Sequence, residues 1–553
     1  MHYRKWAFSI AAGAMITLGV VVGLKQGPSL AMPSPSILQT TPDEDDTTLS
    51  AHDTVSSAHV VVKLGTNDTI VRQITFTTPI SGLAALQLTG LDITVSEAGQ
   101  VCAIEGVGCP ASDPFCACPP PYDPCLFWNY LYWAEDSWAS YGVGPAESTV
   151  EAGDVEGYAW GGFGTVPPSA PALVSAHRGL EWLRNQQQVD GSFGSLNDTV
   201  EVLMAVGANR MDASVWRRDG PSLLANAISR GTEFAERNAG GVGKLAAALA
   251  AQESYWPVDA LRPLDYYDPG SGTYGASTLY HAWAMLGTAS LSEAVPVSAT
   301  EALKDLQLPN GGWEWASLFG ADTNDTALAL QALVAAGEPV TSTSIISGLA
   351  YLESAQNVDG GFTYQPGSQH GTDSDTNSTA YVVQALLATG EDPSAGTWTI
   401  SGTNPISYLL SMQLPDGSFE WQPGFGGNQY ATQQAIPALL GRPVPILVTQ
   451  VGPAYGIAGE VVSRVGATEK PSAGVWVEAE GANDIFFAVS DATGAYTISV
   501  PSAAGYQLAP FMEGFTFSPT VQTVEVSGVP GDVTTAPKFA GAARSYLPLI
   551  YRD

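Results

Sequence analysis

Two stretches of this chain are near copies of each other. NDTALALQALVAAGE (Asn324–Glu338) and NSTAYVVQALLATGE (Asn377–Glu391) agree at nine of fifteen positions. NDTVEVLMAVG (Asn197–Gly207) is a shorter cousin. YGASTLYHAWAMLG (Tyr274–Gly287), NQYATQQAIPALLG (Asn428–Gly441) and NAGGVGKLAAALAA (Asn238–Ala251) keep the polar start and the Ala-rich stripe. A unit repeated this way cannot bury its apolar face alone and must stack on its neighbours. Each copy reads as a helix, with Asn, Asp, Ser or Thr positioned to accept from the first free backbone N–H groups. Asp325 also suits the positive end of its helix. Small residues such as Ala327, Ala332, Ala380 and Ala385 let these helices pack closely around a common axis.

A second set of helices precedes the first: ALVSAHRGLEWLRNQQ, EALKDLQ, IISGLAYLESAQ and NPISYLLSMQ. Each runs into a turn with Gly and an aromatic residue: VDGSFG, PNGGWEW, VDGGFTY and PDGSFEW. Glycine supplies the left-handed conformation that stops a helix. Gly311 and Gly360 are 49 residues apart, and Gly360 and Gly417 are 57 apart. That period fits one helical hairpin per repeat, and about six hairpins fill residues 170–442.

The turns, each with an upstream Gln (Gln187, Gln307, Gln356, Gln413), resemble the Gln-Trp repeats of terpenoid cyclases. The resemblance implies an α/α-toroid, the fold shared by those cyclases, protein prenyltransferase subunits, complement thioester domains and cobalamin carriers. In the cyclases an acid motif DxDDTA precedes a helix. Here the frame reads Asp322-Thr323-Asn324-Asp325-Thr326-Ala327, with Asn in the acid's place. DSDTNSTA (Asp373–Ala380) likewise has Asn377 there. An amide cannot protonate an alkene or epoxide, so Asp322 and Asp325 are weak acid candidates. The prenyltransferase zinc set and the thioester both need cysteine, and the toroid contains none.

On either side the chain changes character. An apolar run from Trp6 to Leu24 follows a basic start, and Ser29–Ala31 offers small residues for cleavage, so residues 1–31 read as an export signal. Residues 32–58 read as a disordered linker. From 59 to 165, AHVVVKL and TIVRQITF read as alternating strands around a GTND turn. GQVCAIEGVGC, FWNYLYW and AGDVEGYAW make this region similar to the small β-domain of the transcobalamin and intrinsic-factor family. All five cysteines, Cys102, Cys109, Cys116, Cys118 and Cys125, fall here, and in an exported protein they read as disulfide candidates with one thiol left over. Residues 452–541 are alternating strands in which SDATGAYTISVP and GFTFSP resemble carboxypeptidase-regulatory or collagen-adhesin B-type β-sandwiches. The resemblance implies a spacer or display role. The tail 542–553 is short and apolar-aromatic.

The reading is thus a multidomain α and β protein: an N-terminal small β-rich domain, a central α/α-toroid and a C-terminal β-sandwich. Its net charge of −33 repels nucleic acid and anionic membranes. A membrane partner requires retention of the N-terminal anchor. There is no phosphate loop or Ser-His-Asp signature, and neither cofactor nor metal is expected. His177 and His281 lie in helical stripes and read as packing or cap residues. Taken with the two cobalamin-carrier-like parts, these features point to a secreted or cell-surface, non-catalytic protein. It would hold a small-molecule or glycan ligand, corrinoid-like ligands included, at the toroid mouth where it meets the β-domain. Trp313, Trp315, Phe319, Tyr364, His370, Phe419, Trp421 and Tyr430 are the candidate contacts, since apolar mouths with a few polar groups suit such ligands. Three alternatives stand beside it: a cyclase-like enzyme with a degraded acid motif, a polysaccharide-active toroid using Tyr364, His370 and Tyr430, or a ligand-free surface module.

Overall fold

The computed structural model describes residues 55–543 except 98, 110–125, 236–237, 253–261, 276, 292, 369–370, 447–454, 466–467, 473–474, 481–484, 491–492, 501–503, 513–514 and 528–532. The expected signal, His370, and Cys116, Cys118 and Cys125 lie outside the described residues. None of the described helices is long and apolar enough to cross a membrane.

The first sheet has strand order β2-β1-β8-β6-β7, built from β1 (Ser56–Gly65), β2 (Asp68–Phe76), β6 (Phe127–Ala134), β7 (Ser137–Ser140) and β8 (Val155–Gly161). Between them lie α1 (Gly82–Gln87) and a small sheet of β3 (Ile93–Val95), β4 (Val101–Ile104) and β5 (Val107–Gly108). The VVV run in β1 does not alternate with polar residues, and the structure gives the reason. Val60 and Val62 pack with Leu86 and Tyr158 beneath the sheet. Val61 and Val71 belong to the core of the helical domain above it. A strand covered on both faces reads as continuously apolar. Cys109 is disulfide-bonded, whereas Cys102 is a buried free thiol and leaves the disulfide candidates.

The helical domain is a closed ring. Its inner helices are α3 (Leu196–Ala208), α5 (Ala239–Ala250), α6 (Thr278–Ser290), α8 (Thr323–Ala335), α10 (Thr376–Thr389) and α12 (Gln429–Leu439). Each packs on the next, and α12 packs back on α3. The outer layer is α2 (Ala170–Gln186), α4 (Leu223–Ala235), a short 3₁₀ turn (Pro263–Tyr266), α7 (Val297–Asp305), α9 (Thr343–Ala355) and α11 (Pro405–Ser411). Because outer and inner helices alternate along the chain, all inner helices run the same way. Their N-termini share one end of the ring.

The repeated Gln and Gly are what join one hairpin to the next. Gln307 donates to the carbonyls of Gly311 (2.7 Å) and Ser344 (2.9 Å), the second at the start of the next outer helix. Gln356 does the same to Gly360 and Trp398, and Gln187 to Gly191 and Trp216. Gln413 closes the ring, donating to Gly417 (3.0 Å) and to Ser175 of α2 (2.8 Å). Gly417 has φ +94°, and a Cβ there would sit 2.5 Å from the Arg178 carbonyl, so the turn demands glycine twice over.

Asn238 and Asn428 cap α5 and α12 as the repeat suggests, but at α8 and α10 the caps fall two residues earlier. Asp322 caps α8 by accepting from Asp325 N–H at 2.8 Å, and Asp375 caps α10 through Ser378 N–H at 2.8 Å. Asn324 and Asn377 are therefore second helical residues, not caps. His281 is a core connector: its Nδ1 accepts from Tyr274 N–H at 3.0 Å, so Nε2 carries the proton and donates to Ala299 O at 2.8 Å. His177 packs edge-on against His59 of β1, with ring centroids 5.6 Å apart.

After the ring, strands from Tyr455 to Ala543 form two sheets. Their buried core includes Ile457, Val461, Val477, Ile498, Leu508 and Phe539.

Candidate functional site

The loops leading into α8, α10 and α12 put the candidate aromatics at the N-terminal end of the ring. Burial divides the candidates. Trp313 and Phe419 are fully buried. Trp313 donates its indole N–H to Leu303 O at 2.8 Å and its backbone N–H to Thr326 Oγ1 at 2.9 Å. Phe419 N–H makes the matching bond to Thr432 Oγ1. Phe362 and Phe193 hold the same position in other repeats. These residues are core, and Trp313 and Phe419 are withdrawn as ligand contacts. Trp315 and Trp421, two residues on, stand where the chain bends and are partly exposed. Trp315 stands edge-on to Phe319 at 5.1 Å and Trp421 edge-on to Phe425 at 5.3 Å. Tyr364 and Tyr430 are also exposed at this end. Phe425 and Leu318 were not among the sequence candidates.

Beneath the rim, Asp322 and Asp325 are buried together. Burial raises both carboxyls. Asp322 is pushed up to about 6, held there against bonds from the N–H groups of Asp325 and Asn324 and from the Tyr364 hydroxyl. Asp325 rises well above the carboxylate range, first by burial, then by the charge of Asp322 and the hydrogen bond between them. Asp325 is thus the partner pushed further toward the protonated form. Its Oδ1 has no hydrogen-bond partner among the described residues. Asp375 is likewise pushed up to about 6 by burial, against bonds from Ser378, Asn377 and the Trp421 indole.

The bore is occupied. Lys244 of α5 is paired with Glu201 of α3, both nearly buried. Glu201 also accepts from Gln433 and Gln434, each at 2.9 Å. Lys244 donates to Asn197 Oδ1 at 2.8 Å and stands 5.2 Å from the Trp283 ring centroid. Asn197 in turn donates to Tyr430 Oη, and Asn377 to Gln434 Oε1 at 2.6 Å. This polar plug escaped the sequence reading. The signal was there: Glu201 and Lys244 are charged residues within inner-helix apolar stripes.

Below the plug lies a cavity of about 30 Å³, lined by Glu201, Trp283, Tyr381, Gln384, Gln433 and Val444 among others. That is room for roughly two waters. The chain leaving α12 stoppers the far end: Val444 N–H donates to Gln331 Oε1 at 2.8 Å, and Arg442 O accepts from Gln384 at 2.9 Å. A carbon skeleton to be cyclised needs several hundred Å³.

Among the described residues, the β-domain meets the ring away from the aromatic end. The β1–β2 turn docks on the C-terminal ends of α3 and α12. There Asp68 lies between Arg210 and Arg442, 2.7 Å from each. Val71 exchanges two hydrogen bonds with Asn209, and Arg72 donates to the carbonyls of Asn209 and Arg210. The mouth and the β-domain junction are thus opposite ends of the ring, which corrects the expectation of one site shared by both.

Comparison with known proteins bears on the helical domain. Residues 268–434 match the family model described as squalene-hopene cyclase C-terminal domain. The type II terpene cyclase MstE from Scytonema aligns at 15% identity and TM-score 0.36, covering 49% of this chain and 98% of that one. The ent-copalyl diphosphate synthase from Streptomyces platensis aligns at 19% and 0.31, covering 44% and 49%. Protein geranylgeranyltransferase-I from Candida albicans aligns at 14% and 0.31, covering 48% and 84%. No curated protein matches the chain. The matched segment holds Asp322, Asp325 and the aromatic rim, and with its closed helical ring this part of the chain is similar in fold to terpenoid cyclases.

Proposed function

We propose that the protein is an exported, non-catalytic binding protein that holds an extended ligand on the N-terminal face of its helical ring. One observation carries this reading: solvent-exposed aromatic pairs gather at that face while the bore behind them is filled. Binding there is a surface event, and the polar plug supports the platform from below. The position of a cyclase acid is held by Asn324. The experiment is titration of the full chain with corrinoid, glycan and peptide panels, read by Trp fluorescence and melting temperature. A response that disappears in Phe425→Ser supports the reading. Fluorescence and melting curves unmoved by every panel would end it.

A second reading, acid-initiated terpenoid chemistry, is favoured by the raised carboxyls of Asp322 and Asp325 and by the family match. It requires the bore to open from about 30 Å³ to several hundred, and Asp325 to deliver its proton in place of the missing central acid. Incubation with squalene and with geranylgeranyl-chain substrates decides it. Product that vanishes in Asp325→Asn supports it, and absence of product from the intact chain removes it.

A further inference from the structure

Three loops at the N-terminal face share one pattern: Glu314-Trp315-Ala316-Ser317-Leu318-Phe319-Gly320, Thr363-Tyr364-Gln365-Pro366-Gly367-Ser368 and Glu420-Trp421-Gln422-Pro423-Gly424-Phe425-Gly426. The fifth residue of each is left-handed, with φ of 75° at Leu318, 73° at Gly367 and 85° at Gly424. Two loops meet that demand with glycine. The first meets it with leucine, for which the conformation is strained, and leaves the side chain 97% exposed. The loop requires the left-handed backbone here, as its two counterparts show, but no leucine side chain. An apolar side chain held under both costs is explained by a contact made outside the chain.

The loops are built to hold their shape. Glu314 accepts from the N–H groups of Leu318 (3.2 Å) and Gly320 (2.8 Å). Glu420 repeats the device with Gly424 (3.1 Å) and Gly426 (2.7 Å). Gln365 donates to Phe319 O at 2.7 Å, fastening the second loop to the first. Gln422 donates to Asp373 O at 3.4 Å, joining the third to the continuation of the second. The result is a continuous arc presenting Trp315, Leu318, Phe319, Tyr364, Trp421 and Phe425. Preformed apolar anchors of this kind lose little entropy when they bind.

The loops that carry the arc are themselves acidic, while Arg178 and Arg218 pack against neighbouring turns by donating to the carbonyls of Leu414, Pro415 and Gln187. Segments 187–198, 307–324, 356–377 and 413–430 contain no lysine and no arginine. Asp190, Asp359, Asp373 and Asp416 are exposed there.

We propose that this arc is the docking surface for a polypeptide segment that carries Lys or Arg beside large apolar side chains. This deepens, and rests on, the binding role proposed above. A protein partner rewards all the features together. Leu318 buries area against an aliphatic or aromatic neighbour, Trp and Phe serve as central anchors, indole faces receive cationic groups, and the carboxylates steer positive charge. A sugar ring stacks on the aromatics but gives no return on an aliphatic knob. An anionic bilayer is repelled by a chain of net charge −33.

The test is a random linear peptide display library panned on the full chain. Enriched sequences should combine Arg or Lys with Trp, Leu or Phe, and the leading peptide, made synthetically, should bind more weakly as salt rises. Leu318→Gly suits the backbone, so its fold is kept, and it should weaken that peptide about tenfold, with Phe425→Ser doing the same. No enrichment, enrichment of acidic sequences, or an affinity in both variants unchanged from that of the intact chain overturns the proposal. Neutral β-glucan, xylan and phosphatidylcholine vesicles are the comparison arms. Phe425-dependent binding to one of them without peptide binding would replace the peptide chemistry and leave the binding role standing. Silence from every probe removes both.

Discussion

Arg442 Nη2 lies 2.7 Å from Asp68 Oδ1, and both side chains are 1% exposed. Arg442 ends the last hairpin of the ring, and Asp68 sits at the β1–β2 turn. Arg442 also donates to Ala208 O at 2.9 Å. One guanidinium thus joins the first inner helix, the end of the ring and the β-domain. Removing a single partner leaves a buried charge without compensation. Asp68→Ala should lower unfolding free energy by about 3–5 kcal/mol, measured by urea denaturation. A loss below 1 kcal/mol would mean that water replaces the carboxylate. Replacing Asp68 and Arg442 together by apolar residues should cost less than Asp68→Ala alone.

The carboxyl pair gives a pH prediction. Asp322 and Asp325 have folded pKa values raised above the ordinary value. The protonated forms favour the fold, so this contribution is complete below about pH 4 and fades as pH rises through about 6 for Asp322 and higher for Asp325. Asparagine mimics a protonated Asp325. Asp325→Asn should therefore raise the melting temperature at pH 8 and change it little at pH 4. An equal shift at both pH values would show that Asp325 is not the partner pushed further toward the protonated form.

Gln413 joins the last hairpin to the first. Gln413→Ala removes both its carbonyl contacts and should cost about 2–3 kcal/mol. Hydrogen exchange should quicken in α2 and α11 together. Loss of protection in α11 alone would show that the closure rests on other contacts.

Glycines at two kinds of turn should behave differently. A Cβ on Gly424 meets nothing within 4 Å, so Gly424→Ala is opposed only by its φ of +85° and should cost about 1 kcal/mol. At Gly417 the same substitution also strikes the Arg178 carbonyl and should cost clearly more. Thermal unfolding of both variants compares them, and equal losses would mean that α2 yields to the added methyl group.

Much of the ring could be read from local chemistry. Repeated polar helix starts, Gly turns and upstream Gln are short-range signals, and each performs a short-range task. The direction of the aromatics could not be read from spacing: Trp313 and Trp315 lie two apart, which extended backbone would put on one side, and the chain bends at Trp315. The Glu201–Lys244 plug is a contact between helices, and sequence shows the two charges without their pairing. The docking of Asp68 could not be read at all. The GTND turn looks like any hairpin turn, and its burial is decided by Arg210 and Arg442, more than a hundred residues away along the chain.

The contact between Gly417 and Arg178 limits how such a chain can change. An open stack of hairpins can gain or lose units at its ends and remain a shorter or longer version of itself. A closed circuit has no ends. Deleting one hairpin would leave a gap that its neighbours could span only by tilting every inner helix, and adding one would force the circuit apart. Length variation is thereby confined to the segments between helices, where the arc of exposed aromatics lies, so the part freest to change length is also the surface we propose for docking.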